Sequence, residues 1–152
     1  VLGLAVAGPI AITTVAWLFF SASEIAGHTP FSMGPPANVA EAAGLGSVSE
    51  VLRLMSAGQN PTRVWDVRPH VISSAVTRVT ALEAAVWSRR AQEMEMFDRA
   101  GAIVGADTRR HLECLAADLD AEEVREYLAA GQLHDCVPNA TLELIFARSR
   151  QP

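Results

Sequence analysis

Three 20-residue stretches of this chain share one register, and that register leaves few folds open. Residues 39–58, 82–101 and 112–131 each open on an aliphatic side chain and close on Ala-Gly. In each, a glutamate stands eight residues before the final glycine: Glu50, Glu93 and Glu123. Within each unit the spacing predicts two short helices. The first carries paired small residues (Ala42-Ala43, Ala84-Ala85, Ala116-Ala117) that allow a neighbour to approach closely. The second buries Val51, Leu54 and Met55, then Met94 and Phe97, then Val124, Tyr127 and Leu128, at i, i+3, i+4 spacing. Ser47 with Glu50 and Asp120 with Glu123 have the spacing of capping boxes for the second helices, and Arg90 makes the middle cap weaker. Gly58, Gly101 and Gly131 are placed to end them in a left-handed C-cap. A helical pair of this size cannot bury its own apolar stripe, so it must stack on copies of itself.

This pattern resembles the ankyrin repeat family, whose units are helix-turn-helix pairs closing in Ala-Gly after a Thr-Pro-Leu-His-like start. Thr80-Ala81-Leu82-Glu83-Ala84-Ala85 keeps the Thr, the Leu and the second Ala of that start and lacks its Pro and His. The resemblance covers about residues 37–131, with a truncated last unit expected at 141–147. It implies an all-α helical-hairpin stack over residues 39–147 that binds protein without catalysis. The spacing departs from a 33-residue period. The gap from Gly58 to Leu82 is ten residues too long, and the two later gaps are three too short. The insertion around residues 64–72 is therefore expected to replace the family's β-hairpin finger between the first two units.

The N-terminal end belongs to a different solvent. Residues 1–20 hold 15 hydrophobic residues, and Glu24 is the first charged side chain. As a helix, 23 uncharged residues would span roughly 35 Å, against about 30 Å of hydrocarbon. Trp17, Phe19 and Phe20 gather where an aromatic belt would meet the headgroups, and Pro9 is tolerated in such a helix. Gly3, Ala7 and Ala11 form a small-residue face suited to packing on other transmembrane helices. Residues 1–23 are accordingly expected to be a single transmembrane helix in contact with the bilayer, followed by a Pro/Gly-rich linker over 24–38. A cleavable signal peptide and an apolar core helix are the competing readings. From Phe20 to Leu52 there is no basic residue, which disfavours a cytoplasmic flank. The expected location is the inner (cytoplasmic) membrane, single-pass, with the C-terminal domain periplasmic.

Charge and composition narrow the chemistry. The net charge is -5, and all 12 basic residues are Arg. No basic stripe exists for nucleic acid, and lysine-based catalysis is excluded. His111-x-x-Cys114 with His134-x-Cys136 could complete a tetrahedral zinc site, but the spacing matches no common finger and no metal is expected. A Cys114–Cys136 disulfide fits an exported domain, and a buried free thiol at Cys114 is the other reading. Gly44-Leu45-Gly46 lacks the third glycine of a phosphate loop, and the helix-turn-helix register already accounts for it. Asp118, Asp120, Glu122 and Glu123 read as a solvated helix start. In the insertion, Trp65 with Arg63 and Arg68 pairs the residue types enriched at binding hot spots, and Trp87 joins them as a candidate partner contact.

Together these features predict an accessory subunit, without cofactor, that docks onto other subunits of a membrane protein complex. Two other classes compete with it. One is a freestanding exported ankyrin-like protein that protects or inhibits an enzyme or toxin. The other is a metal-dependent enzyme built on the His/Cys quartet.

Overall fold

The apolar positions of the three units form one continuous core, and the elements around it follow from what each segment must bury. A computed structural model describes residues 34–151. The expected transmembrane helix, with Gly3, Ala7 and Ala11, and the linker up to residue 33 lie outside the described residues. Among the described residues no helix is long and apolar enough to cross a membrane. The described residues are mostly helical. The first pair is α1 (Val39–Gly44) and α2 (Val48–Ser56), and the second is α3 (Ala81–Trp87) and α4 (Ala91–Arg99). The third is α5 (Gly105–Asp118) and α6 (Glu122–Ala129), and α7 (Ala140–Ser149) ends the fold. First helices pack side by side, α1 on α3 and α3 on α5, while α4 packs on α6.

Small residues make that closeness possible. Ala42, Ala43, Ala84, Ala85 and Ala116 are fully buried between first helices. The larger side chains Phe97, Met94, Leu112, Leu115 and Leu128 fill the space between rows. Each pair turns on a residue with positive φ, namely Gly46 (69°), Arg89 (58°) and Asp120 (52°). At Gly46 a side chain would also meet the Arg90 guanidinium, 3.1 Å from where its Cβ would stand. The glycines at 58, 101 and 131 all take positive φ just beyond the second helices.

Four details of the sequence reading are corrected. The side-chain caps lie on first helices, and among the described residues only α3 has a full capping box. Thr80 and Glu83 cap α3 reciprocally, and Asn38 accepts from the Glu41 N–H at the start of α1. Ser47 makes no cap bond, the Glu50 carboxylate pairs with Arg53 instead of turning back to Ser47, and Asp120 is spent on the left-handed turn, leaving Ala121 as N-cap. The long connection between the first two pairs does not replace a finger but forms one. Strands β1 (Trp65–Val67) and β2 (Thr77–Val79) pair antiparallel, Trp65 opposite Val79, a small addition to a mostly helical fold consistent with the all-α expectation. Beyond β1, Val71 and Ile72 fold back onto α1 at Gly44, where a Cβ would stand 3.0 Å from Val71 Cγ1. The third pair opens at Gly105, seven residues earlier than its register suggests, because the short connection from Gly101 leaves the added length to the helix. The terminal element is a ten-residue helix, longer than the expected 141–147.

Cys114 and Cys136 are joined by a disulfide, their Cα atoms 5.3 Å apart and 22 residues apart in sequence. A loop of that length contributes about 3 kcal/mol on the chain-entropy estimate. With both thiols consumed, the His/Cys quartet is not a zinc site, and no metal-binding group of three or more ligands occurs among the described residues.

Among the buried polar residues, Glu93 has a carboxylate oxygen left without a partner. Glu93 is fully buried, with Oε2 2.8 Å from the Ser88 hydroxyl and Oε1 without a partner. Burial pushes its carboxyl up to about 7, against the lowering influence of Ser88 and the Arg90 charge. Because the folded value lies above the ordinary one near 4.5, the folded state keeps a proton that the unfolded state releases. The favourable contribution is complete below about pH 4.5 and declines until about pH 7. Glu93→Gln should therefore be more stable than the parent at pH 8 by up to about 3 kcal/mol, with little difference near pH 4.5. Urea midpoints at the two pH values check this, and an equal difference at both would contradict it.

Candidate functional site

Each first helix buries one glutamate, and each of those carboxylates reaches out of its own pair. Glu41, Glu83 and Glu113 sit on α1, α3 and α5 and are at most 4 % exposed. Ionised carboxylates so deep in a fold require partners. Glu41 accepts from the Ala37 N–H at 2.8 Å, from the Arg68 N–H at 3.0 Å and from the Arg68 guanidinium at 2.9 Å. Burial raises its pKa, but these donors outweigh it and the net shift is downward. Glu113 accepts from the His134 N–H at 2.8 Å and from His134 Nδ1 at 2.7 Å. Glu83 is the most heavily used. It accepts from the Thr80 N–H and hydroxyl, from His111 Nε2 at 3.0 Å and from Arg148 Nη2 at 2.6 Å. Burial would raise this carboxyl as well, yet His111, Thr80 and Arg148 together hold it down at about 2.

Beside Glu83 the gap between α3 and α5 opens into a hollow of about 580 Å³. Its polar lining comprises Thr62, Thr80, Glu83, Asp107, Thr108 and His111. Leu82, Val104 and Leu112 contribute the apolar wall. The finger base stands next to it, since the Pro61 carbonyl accepts from the Ala81 N–H at 3.0 Å. Trp65 donates its ring N–H to the Asn60 carbonyl at 3.1 Å, and the Arg63 guanidinium lies 5.1 Å from the Trp65 ring centre. That stacking keeps an arginine and an aromatic face together on the exposed side of the finger.

Of the residues singled out from sequence, Arg63 and Trp65 are brought together. Arg68 is committed to Glu41, and Trp65 and Trp87 are both half-buried against the core, Trp87 on α3 away from the Arg63–Trp65 contact. The buried glutamates escape a search for repeated positions because the Ala-Gly register draws attention to Glu50, Glu93 and Glu123. A signal was present nonetheless. A glutamate directly follows Leu82 and Leu112, and another stands among the alanines of α1, where helix faces must be buried.

Removing the Glu83 carboxylate takes away the half of the α3 capping box that satisfies the Thr80 N–H and leaves His111 and Arg148 without their anion. Glu83→Ala should cost about 3 kcal/mol at pH 7. The folded value of about 2 lies below the ordinary one, so the contribution is present above about pH 4.5 and is lost as pH falls toward 2. Denaturant unfolding of parent and variant at pH 7 and pH 3 should show a narrower gap at the lower pH. A gap independent of pH would assign the loss to packing alone. No family model, curated protein or solved structure matches this chain.

Proposed function

We propose that this chain is a membrane-anchored, protein-binding accessory subunit with an ankyrin-like repeat domain. In this reading residues 1–23 hold it in the inner membrane and 24–38 form a spacer. The repeat domain, 39–147, then braces an extramembrane part of a larger complex from the periplasmic side. The observation that carries the reading is the stack of helix pairs with an open hollow of about 580 Å³, near a half-buried Trp65 covered by the exposed Arg63. Hollows and aromatic-arginine pairs of this kind are where binding energy concentrates.

Further features agree with holding rather than reacting. Glu83, held near 2, is a fixed anion at neutral pH and does not exchange a proton there. Exposed Leu144 and Phe146 on α7 add apolar surface at the other end of the stack. The disulfide suits an oxidising compartment, in agreement with a periplasmic domain.

Purification of the full chain in mild detergent tests the proposal. Co-migration with stoichiometric membrane subunits is the expected result, and a chain that migrates alone would overturn it in favour of a freestanding exported protein. Trp65→Ala should weaken recovery of the partner by about tenfold, the scale of one aromatic anchor. Replacing Gly3 and Ala7 by Leu should loosen the same assembly if the N-terminal run packs among other helices.

A further inference from the structure

We propose that the hollow between α3 and α5 receives the cationic end of an arginine or lysine side chain from the partner, an inference that rests on the protein-binding role above. Thr62 donates its hydroxyl hydrogen to Asn60 Oδ1 at 2.8 Å, and Thr80 donates its own to Glu83 Oε2 at 3.1 Å. Both hydroxyls therefore have only lone pairs left to offer. Glu83 is an acceptor alone, so the His111 nitrogen facing it carries a hydrogen. Asp107, in the first turn of α5, is exposed and engages no group among the described residues. Thr108 keeps a hydroxyl that can donate or accept, and a lining otherwise rich in acceptors matches ammonium and guanidinium groups, which only donate.

Two further observations point the same way. Glu83 already pairs with a guanidinium, that of Arg148 on α7, which lies outside the lining and donates to it at 2.6 Å. The apolar side formed by Leu82, Val104 and Leu112 suits the methylene stem that carries such a head group. A carboxylate in the same place would meet Asp107 as a like charge.

The test uses the full 152-residue chain in mild detergent, with the Thr108 methyl and His111 ring followed by NMR. The probe is acetyl-Gly-Arg-Gly-amide. Peptides with citrulline or glutamate in place of arginine are the neutral isostere and the opposite charge. The arginine peptide should shift both signals saturably, with a Kd on the order of millimolar for so small a ligand. The citrulline peptide, and the arginine peptide with Asp107→Asn, should bind roughly fivefold more weakly. Val104→Lys, which places the protein's own ammonium at the hollow, should abolish the shifts. Asp107 and Val104 are both exposed, so an unchanged thermal midpoint separates lost binding from lost folding. Equal binding of the arginine and citrulline peptides, stronger binding of the glutamate peptide, or indifference to both substitutions would overturn the inference. Partner co-purification without any peptide shift overturns the hollow and leaves the accessory role standing. Peptide binding by a chain that purifies alone does the reverse.

Discussion

An ionised carboxylate cannot be buried in a helix stack unless donors are brought to it, and that demand organises the regions outside the helices. Glu41 fixes the start of the long finger by gathering both the backbone and the side chain of Arg68. Glu83 draws in a histidine from the next pair and an arginine from the last helix. Glu113 holds the backbone and ring of His134 in a stretch that has no secondary structure of its own. Removing one member of such a group leaves the other charged or polar atoms unmatched, which is why these contacts resist change more than surface ion pairs do.

The segment between α6 and α7 shows how few fixed points an irregular chain needs. His134 is held by Glu113, Cys136 by Cys114, and Asn139 by Asp118, all three anchors lying on α5. Asp118 does more, accepting from the N–H groups of Thr141 and Leu142 and so serving as the cap that Asn139 does not provide for α7. What reads in sequence as a solvated acidic helix start is, for Asp118, a cap supplied from another helix.

The periodic part of the fold is legible because each local preference agrees with the tertiary result. Phe97, Val124 and Leu128 are apolar at helical spacing and are buried. Gly101 stands where a left-handed residue is needed. What local pattern does not reveal is a choice between two equally good local partners. Glu50 has the spacing to cap Ser47 and pairs with Arg53 instead. Nothing local separates Glu93, buried and pushed up to about 7, from Glu50 and Glu123 at the same register position. The hollow is illegible for a related reason. Its lining comes from residues 62 to 112, and the one patterned segment among them, Thr80–Ala85, reads as a helix start and not as a site. The finger strands are three residues each, too short for alternation to announce them.

Stacks of repeats ordinarily touch only their neighbours in the chain and can loosen from either end. Here the last helix returns to the finger, the Ser149 hydroxyl accepting from the Arg78 N–H across 71 residues of sequence, while Arg148 clasps the middle pair. The final turn of the chain therefore cannot settle until the finger and the middle pair are in place. Such distant closures raise the mean separation of contacting residues and slow folding relative to a simple linear array. They also bind the terminal helix into the same cooperative unit as the centre, so fraying from the C-terminal end requires opening the middle of the stack.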